Sequence, residues 1–178
     1  MIFWIVGGVV AIILIWAIVT SNSFKRANVK IDEAESGIDV ALTKRFDVLT
    51  KMRDAVKGYS AHEKSTFAET ISIRKGMSMG ERNEAHKQMN EMQASINALA
   101  EAYPELRASE NFMALQHSIT DVEEHLQAAR RLYNGNVSTY NQSIIVFPKS
   151  IIAGMMKMVK REFFEAEAAK RLDVKMDF

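Results

Sequence analysis

The sequence predicts an all-α protein in which an N-terminal transmembrane helix precedes an antiparallel bundle of long helices. Three observations lead to this prediction. Residues 2–19 carry no charged side chain, and the first charged residue of the chain is Lys25. Only two prolines and eight glycines occur in 178 residues, which is typical of long helices. From about residue 29 onward, apolar side chains recur every three or four residues, which is the spacing of amphipathic helices.

The first predicted element is a membrane anchor over residues 1–24. Its 18 apolar residues would form a helix of about 27 Å, close to the roughly 30 Å of a bilayer's hydrocarbon core. Trp4 and Trp16 lie near its two ends, where indole rings favour the headgroup region. The residues expected in contact with lipid include Ile2, Trp4, Val9, Ile13, Trp16 and Val19.

A cleaved secretory signal is the alternative to a retained anchor. Such a signal needs a basic region before the apolar core and a small-x-small site after it. No basic side chain precedes Phe24, and residues 20–23 lack an Ala-x-Ala pattern, so the sequence favours an anchor. Lys25, Arg26 and Lys30 follow the span directly, which predicts a single-pass protein of the bacterial inner membrane with its N-terminus outside and the bundle in the cytoplasm.

Composition limits the classes of partner and of chemistry. Lys and Arg total 23 and Asp and Glu total 22, so no global positive field favours nucleic acid. The absence of cysteine excludes disulfides, zinc thiolates, iron–sulfur clusters and a thiol nucleophile. The expected partners are the lipid bilayer and an unidentified membrane or cytoplasmic protein, and association with a second copy of the chain stays open.

The first helix of the predicted bundle covers about residues 29–57. Whether it continues from the anchor through residues 22–28, or breaks there, is left open by the Ser and Asn side chains in that stretch. Gly58 is a plausible end for the helix. Ser60 and Glu63 then form a capping-box pattern that predicts a new helix.

Two further helices complete the predicted bundle over residues 25–148. Glycines bracket a loop at residues 76–80, and a helix follows over residues 81–102 until Pro104 ends it. Ser109 is the expected cap of the last long helix, which would pack through a regular apolar stripe. That stripe contains Phe112, Leu115, Ile119, Val122, Leu126, Ala129 and Tyr133.

Residues 149–178 are predicted to form a C-terminal amphipathic segment and tail. Ile151–Arg161 would either lie on the inner leaflet, with basic side chains toward anionic lipid, or dock on the bundle. The methionines of the 76–80 loop would either form an adaptable partner surface or fill the core. The candidate lipid or partner contacts are therefore Met77, Met79, Lys149, Lys157, Lys160 and Arg161.

The sequence predicts no catalytic residue, metal site or cofactor. His62-Glu63 begins like a zinc-protease helix, but Thr66 stands where the second histidine is needed. None of the four histidines follows a glutamate by three residues, as a di-iron bundle requires. Asp121 and His125 are four residues apart and are interpreted as a surface or structural pair. The bundle's tyrosines and asparagines could form a polar cavity, but the tyrosine rings are interpreted as core residues whose hydroxyls reach partners or water. These tyrosines and asparagines are Tyr59, Tyr103, Tyr133, Tyr140, Asn134 and Asn141.

Several short sequence blocks follow one another in a specific order. They are Val56-Lys57-Gly58-Tyr59 with His62-Glu63, Ala100 to Leu106, Asn111-Phe112 with Leu115-Gln116, Ala129-Arg130 with Tyr133-Asn134, Tyr140-Asn141, and Phe147-Pro148 with Ile152-Ala153. Together with the apolar N-terminus, this ordered set resembles the LemA family of bacterial membrane-anchored helical proteins, over most of residues 1–165. The resemblance implies a few long antiparallel helices and no particular reaction. Two positions depart from the family pattern: Thr50 replaces a usual proline, which predicts a straighter first helix, and His125 replaces a common arginine.

The function expected from the sequence is therefore non-catalytic. The chain is expected to act as an interaction or scaffold module at the bacterial inner membrane. Two alternatives stay open: an enzyme or ligand-binding bundle completed by a partner or a second subunit, and an outward-facing structural element of the envelope.

Overall fold

The computed structural model describes residues 1–57, 73 and 76–164, and these residues form helices and connecting turns, with no strand among them. The all-α prediction is confirmed. The predicted capping box at Ser60 and Glu63 and the tail beyond residue 164 lie outside the described residues. The helices are α1 (Ile2–Lys57), α2 (Met79–Ala102), α3 (Pro104–Arg107), α4 (Glu110–Ile145) and α5 (Lys149–Met155).

Helix α1 is continuous over 56 residues, so the anchor and the first bundle helix are one element. No proline or glycine occurs between Gly8 and Gly37, and the Ser and Asn side chains of residues 21–28 do not interrupt it. The helix also passes through Thr50, as the missing proline predicted. Its described part reaches Lys57, and Gly58, the glycine expected to stop it, lies outside the described residues.

The surroundings of α1 change at Thr20. Every side chain from residue 1 to residue 15 is exposed, whereas Thr20 and Phe24 are buried and begin a buried stripe. By length and composition, α1 is a candidate membrane-spanning helix, the one such helix in the described part of the chain, and none of its most apolar window is buried. The exposed apolar residues therefore coincide with the predicted anchor.

The chain divides into two compact units, the first formed by Met1–Ser36 and Arg131–Phe163. In this unit α4 is bound to α1 by a hydrogen bond of 3.1 Å from Asn136 Nδ2 to the carbonyl oxygen of Lys30. Its core comprises Thr20, Phe24, Ile31, Ala34, Tyr133, Val137, Tyr140, Ile144 and Ala153.

The second unit comprises Gly37–Arg130 and Phe164 among the described residues. Arg45 of α1, with 2% of its surface exposed, lies at the centre of this unit. Its guanidinium donates to Asn90 Oδ1 at 2.6 Å and to Gln93 Oε1 at 2.8 Å, both on α2, and pairs with Glu123 Oε1 on α4 at 2.7 Å. One cation therefore connects three helices.

The contacts of the second unit define helix direction. Gly37 of α1 lies beside Ala129 of α4. Arg45, eight residues later on α1, pairs with Glu123, which is six residues earlier on α4. These two helices are therefore antiparallel, as predicted.

Helix α2 runs in the same direction as α1. Asp39 of α1 pairs with Arg82 of α2. Arg45, six residues after Asp39, donates to Asn90, which is eight residues after Arg82. Both carboxylate oxygens of Asp39 are used, at 2.6 Å from Arg82 Nε and 2.9 Å from Arg82 Nη2. Since α4 is antiparallel to α1, it is also antiparallel to α2.

The loop before α2 is shorter and more buried than the sequence indicated. Ser78, not residue 80, precedes the helix, and Ser78 and Glu81 form a reciprocal capping box. Of the two interpretations left open for Met77 and Met79, the structure favours the core, because only 7% and 6% of their surfaces are accessible. Arg82 explains the difference, since its guanidinium donates to the carbonyl oxygen of Met77 and holds this turn in the unit.

Candidate membrane-contact site

The C-terminal end of α5 differs from the predicted amphipathic segment. Only seven residues are helical, and the chain leaves the helix at Lys157, whose φ of 52° lies in the left-handed region. The amide of Lys157 donates to Gly154 O at 3.1 Å and that of Met158 donates to Ala153 O at 2.9 Å. This pair of hydrogen bonds is a Schellman motif, which satisfies the last carbonyls of α5 and redirects the chain.

Residues 158–164, called the extended segment below, are bound to α4 through its tyrosines. Tyr133 Oη donates to the carbonyl oxygen of Glu162 at 2.9 Å, and Tyr140 Oη donates to that of Val159 at 3.1 Å. Both tyrosines are buried, so the interpretation of these two rings as core residues with partnered hydroxyls is confirmed. Tyr59 lies outside the described residues.

Arg161 is engaged at both its backbone and its side chain. Asn141 accepts from the Arg161 amide and donates to the Arg161 carbonyl, each at 2.9 Å. The Arg161 guanidinium lies 2.8 Å from Asp32 Oδ1 and also reaches Asn28 Oδ1. Among the candidate contacts, Arg161 therefore connects the extended segment to α1.

An exposed apolar patch lies at the corner between α4 and α5 in the same unit. Phe147 and Met155 each leave 77% of their surface accessible. Contiguous exposed apolar surface usually marks a contact with a membrane or a partner. The patch, called the apolar corner below, comprises Ile145, Val146, Phe147, Ile151, Met155 and Val159. Ile145, Val146 and Phe147 were not among the predicted contacts, although the run Ile-Ile-Val-Phe-Pro places apolar residues beside a helix terminator.

A groove of about 410 Å³ separates α5 from α1. Three of its α1 residues, Leu14, Ala17 and Ile18, belong to the apolar span of residues 2–19, so α5 lies beside the carboxyl end of the span. The remaining lining residues are Ser21, Asn22 and Lys25 of α1 and Ile152, Met155 and Met156 at the end of α5.

Three basic candidates belong to the same unit. Lys149, Lys157 and Lys160 are exposed, and no ion pair within the described residues holds them. The apolar corner, the groove and these lysines together form the candidate membrane-contact site. Met77 and Met79 belong to the other unit and are not part of it.

The remaining candidate residues are placed as follows. Asp121 and His125 are both exposed on α4. The ring of His86, which the sequence did not associate with any aromatic partner, meets the ring of Phe164 edge to face with centroids 5.5 Å apart. His62 lies outside the described residues.

Comparisons with known proteins agree with the ordered sequence blocks. A family model described as the LemA family matches residues 34–178. Protein LemA of Metamycoplasma hominis is 27% identical over 158 residues, which cover 86% of this chain and 72% of that protein. Magnetosome protein MamQ of Magnetospirillum gryphiswaldense is 25% identical over 74 residues, which cover 42% of this chain and 27% of MamQ.

Proposed function

Because the chain belongs to the LemA family, we propose that it is a membrane-anchored helical-bundle protein that acts without catalysis, as an interaction or scaffold module. Its location is the bacterial inner membrane, with the bundle on the cytoplasmic side.

The change from exposed to buried side chains at Thr20 is the main support for this proposal. An exposed apolar helix of about 18 residues is unfavourable in water and favourable in a bilayer, where its side chains meet lipid. From Thr20 onward the same helix buries a stripe in the bundle. One element thus fixes the bundle at a short distance from the membrane surface.

The candidate membrane-contact site supports a second attachment to the same leaflet. The apolar corner would enter the interface while Lys149, Lys157 and Lys160 face anionic headgroups. Each lysine near such a surface contributes about 1 kcal/mol to binding at physiological ionic strength. Two attachments would hold the bundle more firmly than the span alone.

The buried charges of the second unit support a structural rather than a catalytic use of its polar residues. Arg45 and Arg82 are engaged with side chains and carbonyls of neighbouring elements. A polar outer face of α2, which includes the exposed Lys87, Glu91 and Ser95, is available to a partner. Confinement to the membrane would raise the effective concentration of a partner bound there.

Photo-crosslinking in cells tests the scaffold proposal. A photoreactive residue at Glu91, which is exposed, is expected to yield an adduct with a distinct protein, whereas one at the buried Met89 should yield none. Adducts only between copies of the chain, or only with lipid, would contradict a scaffold role. Recovery of the intact chain in the soluble fraction at alkaline pH would contradict the anchor.

A further inference from the structure

We propose that the groove between α1 and α5 holds one acyl chain of an anionic bilayer phospholipid, with the lipid phosphate beside Lys25. The inference rests on the proposed function in one respect, because it requires α1 to lie in a bilayer. It adds a specific lipid site to the general contact with the leaflet.

The α1 wall of the groove changes polarity in the order of a phospholipid molecule. Leu14, Ile18, Ser21 and Lys25 follow one another at three- or four-residue spacing and therefore share a helix face. Over these 11 residues the helix rises about 16 Å. The wall is apolar where acyl chains lie, carries hydroxyl and amide groups next, and ends in a cation at the level of the phosphates.

The α5 wall is suited to a flexible chain. Ile152, Met155 and Met156 lie on one helix face, and thioether side chains adapt to irregular apolar ligands. A volume of about 410 Å³ is within the roughly 300–1,000 Å³ of sites that bind small molecules.

Lipid is the occupant that the position of the groove favours. Its apolar residues Leu14, Ala17 and Ile18 belong to the span, where the surrounding molecules are lipids. Lys25, the cation among the lining residues, favours an anionic lipid over one with a neutral headgroup. The small side chain of Ala17 keeps the groove open, so a larger residue at this position would fill it.

Labelling with a photoactivatable lipid tests the proposal. The full chain would be reconstituted in nanodiscs that contain phosphatidylglycerol with a diazirine near the end of one acyl chain, irradiated, digested with trypsin and analysed by mass spectrometry. Label is expected on the tryptic peptide 150–157, which carries the α5 wall. The variant Ala17→Phe should remove most of this label. Val19→Phe is the matched control, because it adds a ring at a similar depth but on the opposite face.

The proposed contact between Lys25 and the lipid phosphate is measured separately. The ratio of labelling by phosphatidylglycerol to labelling by phosphatidylcholine should fall roughly fivefold in Lys25→Gln. Arg26→Gln, which removes a neighbouring charge outside the groove, should leave the ratio nearly unchanged. Resistance to alkaline extraction is measured on the same samples.

The outcomes separate the two proposals. A chain that resists extraction but is labelled equally in Ala17→Phe and Val19→Phe overturns the groove and leaves the anchor standing. A ratio that Lys25→Gln does not change overturns the phosphate contact. A chain that is extracted by alkali overturns the proposed anchor itself.

Discussion

At the scale of single residues, Arg45 is a buried charge that connects α1 to two other helices. It occupies a buried position between Leu42 and Leu49 on the stripe of α1, where an apolar residue would be usual. Burial of a guanidinium is unfavourable unless acceptors surround it, and here amide and carboxylate oxygens of two other helices do so. The residue therefore specifies which faces of the helices meet.

We predict that Arg45→Ala lowers the free energy of unfolding by about 3 kcal/mol, because it leaves Glu123 and two amides without their cation. Urea denaturation of the full chain in mild detergent, followed by circular dichroism, measures the change. Arg53→Ala is the matched control, since the Arg53–Asp54 pair lies on the surface and should contribute less than about 1 kcal/mol. A similar loss in both variants would contradict the role given to Arg45.

Lys157 is the second informative residue, because it adopts a backbone conformation that favours glycine. In the Schellman motif this position is most often Gly, which avoids the steric cost of a β-carbon in the left-handed region. We predict that Lys157→Gly raises the free energy of unfolding by about 0.5–1 kcal/mol. Lys157→Ala removes the same charge but keeps a β-carbon, so it should change stability little. Equal effects of the two substitutions, measured by thermal unfolding, would assign the gain to charge instead.

At the scale of elements, the sequence predicted those features that depend on local chemistry. The continuous apolar span and the cap of α4 at Ser109 both agree with the structure, the second through a hydrogen bond of 3.3 Å from the Phe112 amide to Ser109 Oγ. Helical periodicity and caps act over three or four residues, so a single sequence reveals them.

Features that depend on contacts distant in sequence were not predicted. The burial of Met77 follows from Arg82, whose partner Asp39 is 43 residues away. The end of α5 at Met155 follows from hydrogen bonds between α4 and the extended segment, 18 to 29 residues apart. Alternation of apolar and basic residues in 151–161 is compatible with a helix and with an extended chain bound to the bundle. The pattern alone therefore did not distinguish the two structures.

The extended segment provides a prediction at this scale. Asn141→Ala removes both hydrogen bonds to the Arg161 backbone and should weaken the attachment of the segment by about 2 kcal/mol. Because proteolysis follows local opening, cleavage by trypsin after Lys160 should become roughly 30-fold faster. Gln142→Ala is the control, since Gln142 bonds only to Ser138 in the described contacts. Cleavage at equal rates in the two variants would show that Asn141 does not hold the segment.

At the scale of the whole molecule, the proposed orientation depends on three positive charges next to the span. Lys25, Arg26 and Lys30 lie within about 11 residues of Val19, and charges within about 15–20 residues of a span determine which side stays in the cytoplasm. We predict that changing all three to glutamine converts a uniform topology into a mixed one. A reporter active only outside the cytoplasm, fused after Phe178, measures the fraction that is reversed.

The matched control removes the same amount of charge elsewhere. Lys149, Lys157 and Lys160 are more than 100 residues from the span in sequence, so the triple glutamine variant at these positions should keep the reporter silent. The same variant should weaken binding of the bundle to anionic vesicles, which separates surface attachment from topology. A reporter already active in the unmodified chain would place the bundle outside the cytoplasm, and the scaffold would then serve partners in the envelope.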